Sequence, residues 1–378
     1  GVAVVRVSGP EALSVAGRLT GKGSGFQDSG SGFQVLRLYS PQPETSNLKP
    51  ETFLDEAVVL LFRAPHSYTG EDVVEFQCHG GAVTPRRVLE ACLAAGARLA
   101  RRGEFTERAF LNGKLDYGQA ESVLDLVDAK TARAADAALE GLAGRRAREC
   151  RALYERALDL STRIEHALDV DEGELPDGFT ENLQSEISNL KSQIADAIRK
   201  ANEGKILREG ALVVLAGPPN AGKSSLLNAL LDENRAIVSD VPGTTRDSIE
   251  EWIDLEGWPI RLTDTAGLRE AKDEIEGEGV KRAEDLIARA DVVVWLSTPS
   301  SLIPHSSSLL IHPKCDLGRG EGLNVSAKTG EGLDELKRAI VAKLEERMDS
   351  ISEVEASNTD VAALREALTL LGTGEGQE

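Results

Sequence analysis

Residues 217–224 read GPPNAGKS, and these residue types at this spacing can hold phosphate. Gly217 and Gly222 let backbone N–H groups approach phosphate oxygens, and a helix start adds partial positive charge. Lys223 is placed to reach β- and γ-phosphates, and Ser224 to give its hydroxyl to Mg²⁺. The flanks agree. Leu212-Val213-Val214-Leu215 is a strand-type run, and residues 225–231 read as a helix. That is the strand–loop–helix setting of a P-loop rather than a chance glycine-rich turn. The phosphate cradle is then Gly217, Asn220, Ala221, Gly222, Lys223, Ser224 and Ser225.

Downstream residues extend this site. Ser239 and Asp240 lead into Val241-Pro242-Gly243-Thr244-Thr245-Arg246-Asp247, where a threonine can close over Mg²⁺ and a γ-phosphate. Two strand-type runs, 249–255 and 259–263, are joined at Glu256-Gly257-Trp258 and end in Asp264-Thr265-Ala266-Gly267. Asp264 is placed to hold the metal's shell and Gly267 to offer its N–H to phosphate. Three motifs in this order favour GTP over ATP. Ser326-Ala327-Lys328, after Leu323-Asn324-Val325, would complete a guanine pocket. Leu268 follows Gly267, where Ras-like GTPases place a water-orienting Gln. Leucine cannot orient water. Glu276 is the nearest attractive substitute, but it stands among Asp273, Glu274 and Glu278. Spacing alone favours an ordinary acid there.

The rest of the chain must position these groups. Its 378 residues suggest two or three domains. Apolar residues make up 41 % and aromatics only 4 %, so the cores are built of Leu, Val, Ala and Ile. A formal charge of -20 argues against broad nucleic-acid binding through net charge, though not against a local basic patch. No apolar run reaches the ~18 residues of a membrane span. Cys78, Cys92, Cys150 and Cys315 lack CxxC spacing, which fits a reducing compartment with neither a zinc site nor a disulfide framework. The sequence begins at Gly1, directly in strand-like residues, so any signal or transit peptide would precede it.

The spacing predicts α+β structure over 1–115: strands at 2–7, 33–39, 55–63 and 72–77, and helices at 11–19 and 83–95. Residues 102–114 alternate charged and aromatic side chains too densely for a plain surface loop. Over 116–207 apolar residues recur with helical period: Leu139, Leu142, Ala143, Leu153, Ala157, Leu160, Ile164 and Leu168. Acids, Gly and Pro interrupt at 169–176. A second helix follows at 181–202, with Leu183, Ile187, Leu190, Ile194 and Ile198 on one face, which suggests a bundle. Residues 208–345 form the nucleotide-binding domain. Residues 346–378 return to helix, with Leu364, Leu368 and Leu371 placed to pack back on the bundle. The 306–308 serines read as loop.

GPPNAGKSSLLNAL, VPGTTRD, DTAGLREAKDEIE and SAKTGEG resemble the MnmE (TrmE) family of tRNA-modifying GTPases. So do LREG at 207–210, YTGEDVVEFQCHGG at 68–81 and RRGEFTERAFLNGKLD at 101–116. The last two are family-specific, and the resemblance covers nearly the whole chain. It implies a multidomain α/β and α+β protein. The parts would be an N-terminal α+β folate-binding domain (1–115) that forms a homodimer, a helical bundle (116–207 and 346–378), and a Ras-like P-loop GTPase domain (208–345) inserted in it. With an MnmG-type partner the family modifies C5 of the wobble uridine in tRNA, and a 5-formyl-tetrahydrofolate donor is implied. Carried over by motif, folate contacts fall on Arg6, Glu75 and Lys114. Asn220, Ser239, Val241 and Thr244 fall on a K⁺ site that supplies the charge other GTPases take from an arginine finger. Ser224 and Thr245 fall on Mg²⁺, and Glu276 on the catalytic glutamate.

Three departures stand out. The family's terminal Cys-Ile-Gly-Lys motif has no counterpart in 372–378, so the sequence as given is expected not to complete tRNA modification. Residues 297–312 are shorter than the family's helix-containing segment. The guanine motif Asn-Lys-x-Asp stands here as Pro313-Lys314-Cys315-Asp316, so Pro313 replaces an Asn that in the family bonds guanine and ties this loop to the P-loop. Two other functions remain open: an Era-like GTPase assembly factor, and a degenerate folate- and GTP-binding protein without modification activity. The folate-type motifs and the lack of a basic RNA-binding domain count against the first. A cytoplasmic location is expected in a bacterium, and a mitochondrial or chloroplast one in a eukaryote.

Overall fold

The computed structural model describes residues 1–23, 32–41, 52–169, 175–234, 251–264, 276–296 and 308–358. The chain forms two compact units, Gly1–Val123 and Leu124–Glu378.

The first unit is built on alternation. Strands β1 (Val2–Ser8), β2 (Gly32–Tyr39), β3 (Phe53–Phe62) and β4 (Val73–His79) form an antiparallel sheet in the order β1-β4-β3-β2. Val59, Leu61, Val74, Phe76 and Cys78 point into a core closed by helices α1 (Ala12–Thr20) and α2 (Thr84–Ala94). The alternate residues line the other face, as expected of an antiparallel sheet covered on one side. Arg6, Glu75, Leu60 and Phe33 form one row across it, and Val4, Gln77, Val58 and Val35 the next. Val4, Phe33 and Val35 are exposed there. Helix α3 (Glu104–Leu111) covers the dense 102–114 stretch, and α4 (Tyr117–Asp128) follows.

In the second unit, α5 (Ala132–Leu142) is followed by α6 (Arg145–Asp169) and α7 (Phe179–Glu209). The last two are antiparallel, with Arg163 bonded to Glu186 and Arg156 to Gln193. Leu160, Ile164, Leu183, Ile187 and Leu190 seal their seam. The sheet then unfolds as β5 (Ala211–Ala216), α8 (Lys223–Asn234), β6 (Glu251–Leu255), β7 (Trp258–Asp264), α9 (Glu276–Arg289), β8 (Val292–Leu296), β9 (Ser308–Pro313), β10 (Leu323–Val325) and α10 (Leu333–Asn358). Its order is β10-β9-β8-β5-β7-β6, parallel except for the antiparallel β6. Helix α10 runs through residue 345 without a break and packs along α7. Leu364, Leu368 and Leu371 lie outside the described residues. Ser308, expected in a loop, is the first residue of β9, because pairing with Val293 extends the parallel ladder to it. Among the described residues, no helix is long and apolar enough to cross a membrane.

Glu104 is a buried charge of the first unit, 4 % exposed. It accepts from Arg98, from the Arg101 N–H and from Arg108. The Arg98 bond above all, then those of Arg101 and Arg108, holds its carboxyl well below the usual carboxylate range. A depressed carboxylate stabilises the fold above its unfolded pKa of about 4.3, and that stabilisation fades as pH falls towards the folded value. Glu104→Gln is therefore expected to lower the melting temperature at pH 7, with the gap to wild type narrowing below about pH 4.3. A gap that stays constant down to pH 2 would contradict this.

Candidate functional site

The P-loop follows from the end of β5. Gly217 has φ +144°, and a Cβ there would stand 2.3 Å from the Leu296 carbonyl oxygen, so only glycine fits. Asn220 (φ +62°) and Gly222 (φ +99°) complete the reversal into α8. Lys223, 7 % exposed, folds its ammonium back over the loop and donates to the Gly217 and Pro218 carbonyls at 3.0 Å each. A cation over a ring of loop N–H groups is a cradle for phosphate oxygens.

Strands β5 and β7 are adjacent and parallel, with Leu215 opposite Asp264. This register brings Asp264, buried at the end of β7, to the first turn of α8. There Ser224 Oγ donates to Asp264 Oδ2 at 2.7 Å. A hydroxyl and a carboxylate suit a hard cation such as Mg²⁺, which Ser224, with Asp264 behind it, would hold together with water and phosphate oxygens. Among the described residues there is no cluster of three His, Cys, Asp or Glu that would hold a metal by protein groups alone.

Beside the P-loop lies a cavity of about 300 Å³, lined by Ala221, Gly222, Ser225, Pro313, Lys314, Asp316 and the 325–328 strand end. Ser326, fully buried, donates to Asp316 Oδ1 at 2.7 Å and fixes that carboxylate's orientation. Lys314 takes φ +61°, and its Nζ donates to the Asn220 carbonyl at 3.0 Å. Lys314 thus ties the base loop to the P-loop, a role sequence reasoning had given to the residue Pro313 replaces.

The structure brings together Gly217, Asn220, Ala221, Gly222, Lys223, Ser224, Ser225, Asp264, Lys314, Asp316, Ser326, Ala327 and Lys328 at one end of the sheet. Ser239, Asp240, Val241, Pro242, Gly243, Thr244, Thr245, Thr265, Ala266, Gly267 and Leu268 lie outside the described residues. Glu276 is the first residue of α9.

In the first unit, Arg6 and Glu75 face each other across β1 and β4 and pair at 2.7 Å. The Arg6 guanidinium also lies 5.5 Å from the Tyr68 ring centroid and 5.6 Å from that of Phe105. Lys114 does not join them. Its Nζ donates to the Pro65 carbonyl at 3.1 Å. The 65–70 loop lies between, held by Tyr68 to Thr106 and by Asn112 to the Thr69 carbonyl. Sequence reasoning missed Tyr68 and Phe105. Both stand in the family-specific motifs, Tyr68 at the head of 68–81 and Phe105 in 101–116, and Phe105 also in the dense charged and aromatic stretch.

Comparisons with known proteins converge. The family model described as "GTP-binding protein TrmE N-terminus" matches residues 1–114, and "MnmE helical domain" matches residues 118–377. The chain is 40 % identical to the tRNA modification GTPase MnmE of Symbiobacterium thermophilum, over 97 % of this chain and 84 % of that protein. It is 41 % identical to the Heliobacterium modesticaldum protein of the same name, over 90 % and 78 %. Against that of Neisseria meningitidis serogroup B the figure is 40 %, again over 90 % and 78 %.

Pro313 lines the base cavity with neither a side-chain amide nor a backbone N–H. Pro313→Asn is expected to tighten GDP binding about tenfold to a hundredfold, the equivalent of one added hydrogen-bonding residue. The guanine preference is expected not to change, because the Asp316 carboxylate stays fixed by Ser326. Equal affinities in a fluorescent-nucleotide titration would mean that the Lys314–Asn220 tie already does the work of the Asn.

Proposed function

The chain belongs to the MnmE family of tRNA modification GTPases, and on that premise we propose how its residues divide the work. It hydrolyses GTP in the service of tRNA modification. The observation that carries the reading is the Ser224–Asp264 contact beneath a P-loop, in a chain whose first 114 residues match the TrmE N-terminus. An Era-like assembly factor has no use for that N-terminal region.

Lys223 and the loop N–H groups hold the β- and γ-phosphates. Asp316 accepts from the guanine N1–H and exocyclic amine, a pattern adenine does not offer. Ser224 and Thr245, with Asp264 behind Ser224, hold Mg²⁺, which when bound neutralises charge on the phosphates. Asn220, Ser239, Val241 and Thr244 hold K⁺. Ser239 to Thr245 and Thr265 to Gly267 contribute phosphate contacts, and Glu276 orients the attacking water in place of a Gln after Gly267.

In the first unit, Arg6, Glu75 and Lys114 contact a reduced folate such as 5-formyl-tetrahydrofolate. Cations suit its glutamate tail and a carboxylate suits its pterin ring. Flat rings lie ready beside Arg6, in Tyr68 and Phe105. The apolar sheet face of Val4, Phe33 and Val35 suits contact with a second copy. The organisation proposed is 1–115 for folate and dimerisation, 116–207 with 346–378 for the helical part, and 208–345 for GTP. An MnmG-type protein is the proposed partner, the wobble uridine the site of modification, and the cytoplasm the location in a bacterium.

GTP turnover is expected to be faster in K⁺ than in Na⁺ at matched ionic strength, and Asn220→Ala should remove most of that preference while retaining nucleotide binding. Equal wild-type rates in the two salts would refute the K⁺ assignment. For folate, titration calorimetry with 5-formyl-tetrahydrofolate should give measurable heat that Glu75→Ala reduces. No heat with the wild type would refute the folate assignment.

A further inference from the structure

The β6–β7 hairpin separates, in sequence, the VPGTTRD motif from DTAGL. One end carries Asp264 on Ser224. The other end is the Glu256-Gly257 turn, with φ +53° and +88°, and that turn is gripped by the helical segment. Thr131 Oγ1 donates to the Gly257 carbonyl at 2.8 Å and accepts the Ala134 N–H at 3.2 Å. One hydroxyl therefore caps α5 and pins the turn. The Arg133 guanidinium lies 3.9 Å from the centroid of buried Trp258 and pairs with Glu203 of α7. A Cβ on Gly257 would stand 3.1 Å from Arg133 Cβ, so the turn sits tight against α5. On β6, Trp252 covers Gly210, where a Cβ would come within 2.5 Å of its ring, and Arg261 Nε donates to the Gly210 carbonyl at 3.3 Å.

A ribbon paired from Glu251–Leu262 to Leu255–Trp258 resists internal slippage, because a one-residue shift would turn every side chain to the other face. Displacement at Asp264 is then felt at Gly257, and a hold on Gly257 is felt at Asp264. We propose that Thr131 and Arg133 are positioning residues for GTP hydrolysis. They hold the hairpin in the register at which Asp264 meets Ser224, and they relay nucleotide state to α5 and α7. This rests on the GTPase reading above.

The chain has three tryptophans, and two, Trp252 and Trp258, sit in the ribbon, so its state can be read by emission. The test uses the full chain carrying Trp295→Phe. Exchange of GDP for a non-hydrolysable GTP analogue should change the emission. Arg133→Ala should at least halve that change and lower kcat about fivefold or more, the lower end of typical coupling strengths. KM and GDP affinity should stay within about twofold, since Thr131 and Arg133 line neither the base cavity nor the P-loop. Thr131→Val should act in the same direction, and Thr131→Ser, which keeps the hydroxyl, should restore both readouts. Glu203→Gln weakens the hold on Arg133 without emptying the stack on Trp258, so it serves if Arg133→Ala does not fold. It should give a smaller effect of the same sign. Folded variants with unchanged kcat and emission would overturn the proposal, as would GDP affinity falling in step with kcat. A wild type that turns over no GTP would instead overturn the GTPase reading, while the emission measurement still tests the relay.

Discussion

The phosphate site depends on the burial of β5 between β7 and β8. All six of its residues are buried, with Val213, Val214 and Leu215 fully so. Alternate side chains enter two cores: Val213 and Leu215 meet Leu226 and Leu230 of α8 on one face, and Val214 and Ala216 meet Ala290 and Leu286 beside α9 on the other. Parallel strands require cover of this kind on both faces. Each Val or Leu so buried contributes about 1.5–3 kcal/mol. The register this enforces sets the carboxyl ends of β5, β7 and β8 level, so the P-loop, Asp264 and Leu296 meet at one edge. Ligands bind at that edge in open α/β sheets. The Leu296 carbonyl in turn leaves Gly217 no room for a side chain.

The same core explains why the helical segment is more than an attachment to the sheet. Ala134 of α5 and Leu207 of α7 share one apolar cluster with Ile253, Trp258, Leu344 and Met348. Helix α10 leaves the base loop and runs along α7. A change at the nucleotide edge therefore acts on packed surfaces, which respond by discrete shifts rather than by gradual bending. The polar contacts of Thr131 and Arg133 sit at the rim of that apolar cluster, where they fix direction rather than supply the bulk of the stability.

The first unit solves a different problem with charge. Burying the Glu104 carboxylate is tolerated only because several donors surround it. Arg108, shared with Glu71, carries the network on to Ser8 and Thr69. This network fixes α3 and the 65–70 loop to the end of β1, and with them the rings that flank Arg6. Cys92 lies in the apolar layer below, its thiol pushed up to about 12 by burial. It is there as a small hydrophobe rather than a reactive group.

Local features were legible from the sequence because local forces set them. The P-loop declared itself through glycines between a strand run and a helix start. The paired helices at Leu160 and Leu183 declared themselves by periodicity, and the strands of the first unit by alternation. Helix ends were less legible: α7 continues to Glu209 and α10 through residue 345, because tertiary packing carries a helix past the point where its own pattern weakens. What only the tertiary structure decided are the contacts between residues far apart in the chain. Lys314 reaches the Asn220 carbonyl across 94 residues, and Thr131 reaches Gly257 across 126. Neither pairing leaves a mark on composition or period, since each depends on a strand register that many other residues settle together. The sequence by itself pointed to a phosphate-binding loop and to a base-side loop at 313–316. The packed sheet determined which side chain ties them together, and which helix holds the ribbon between them.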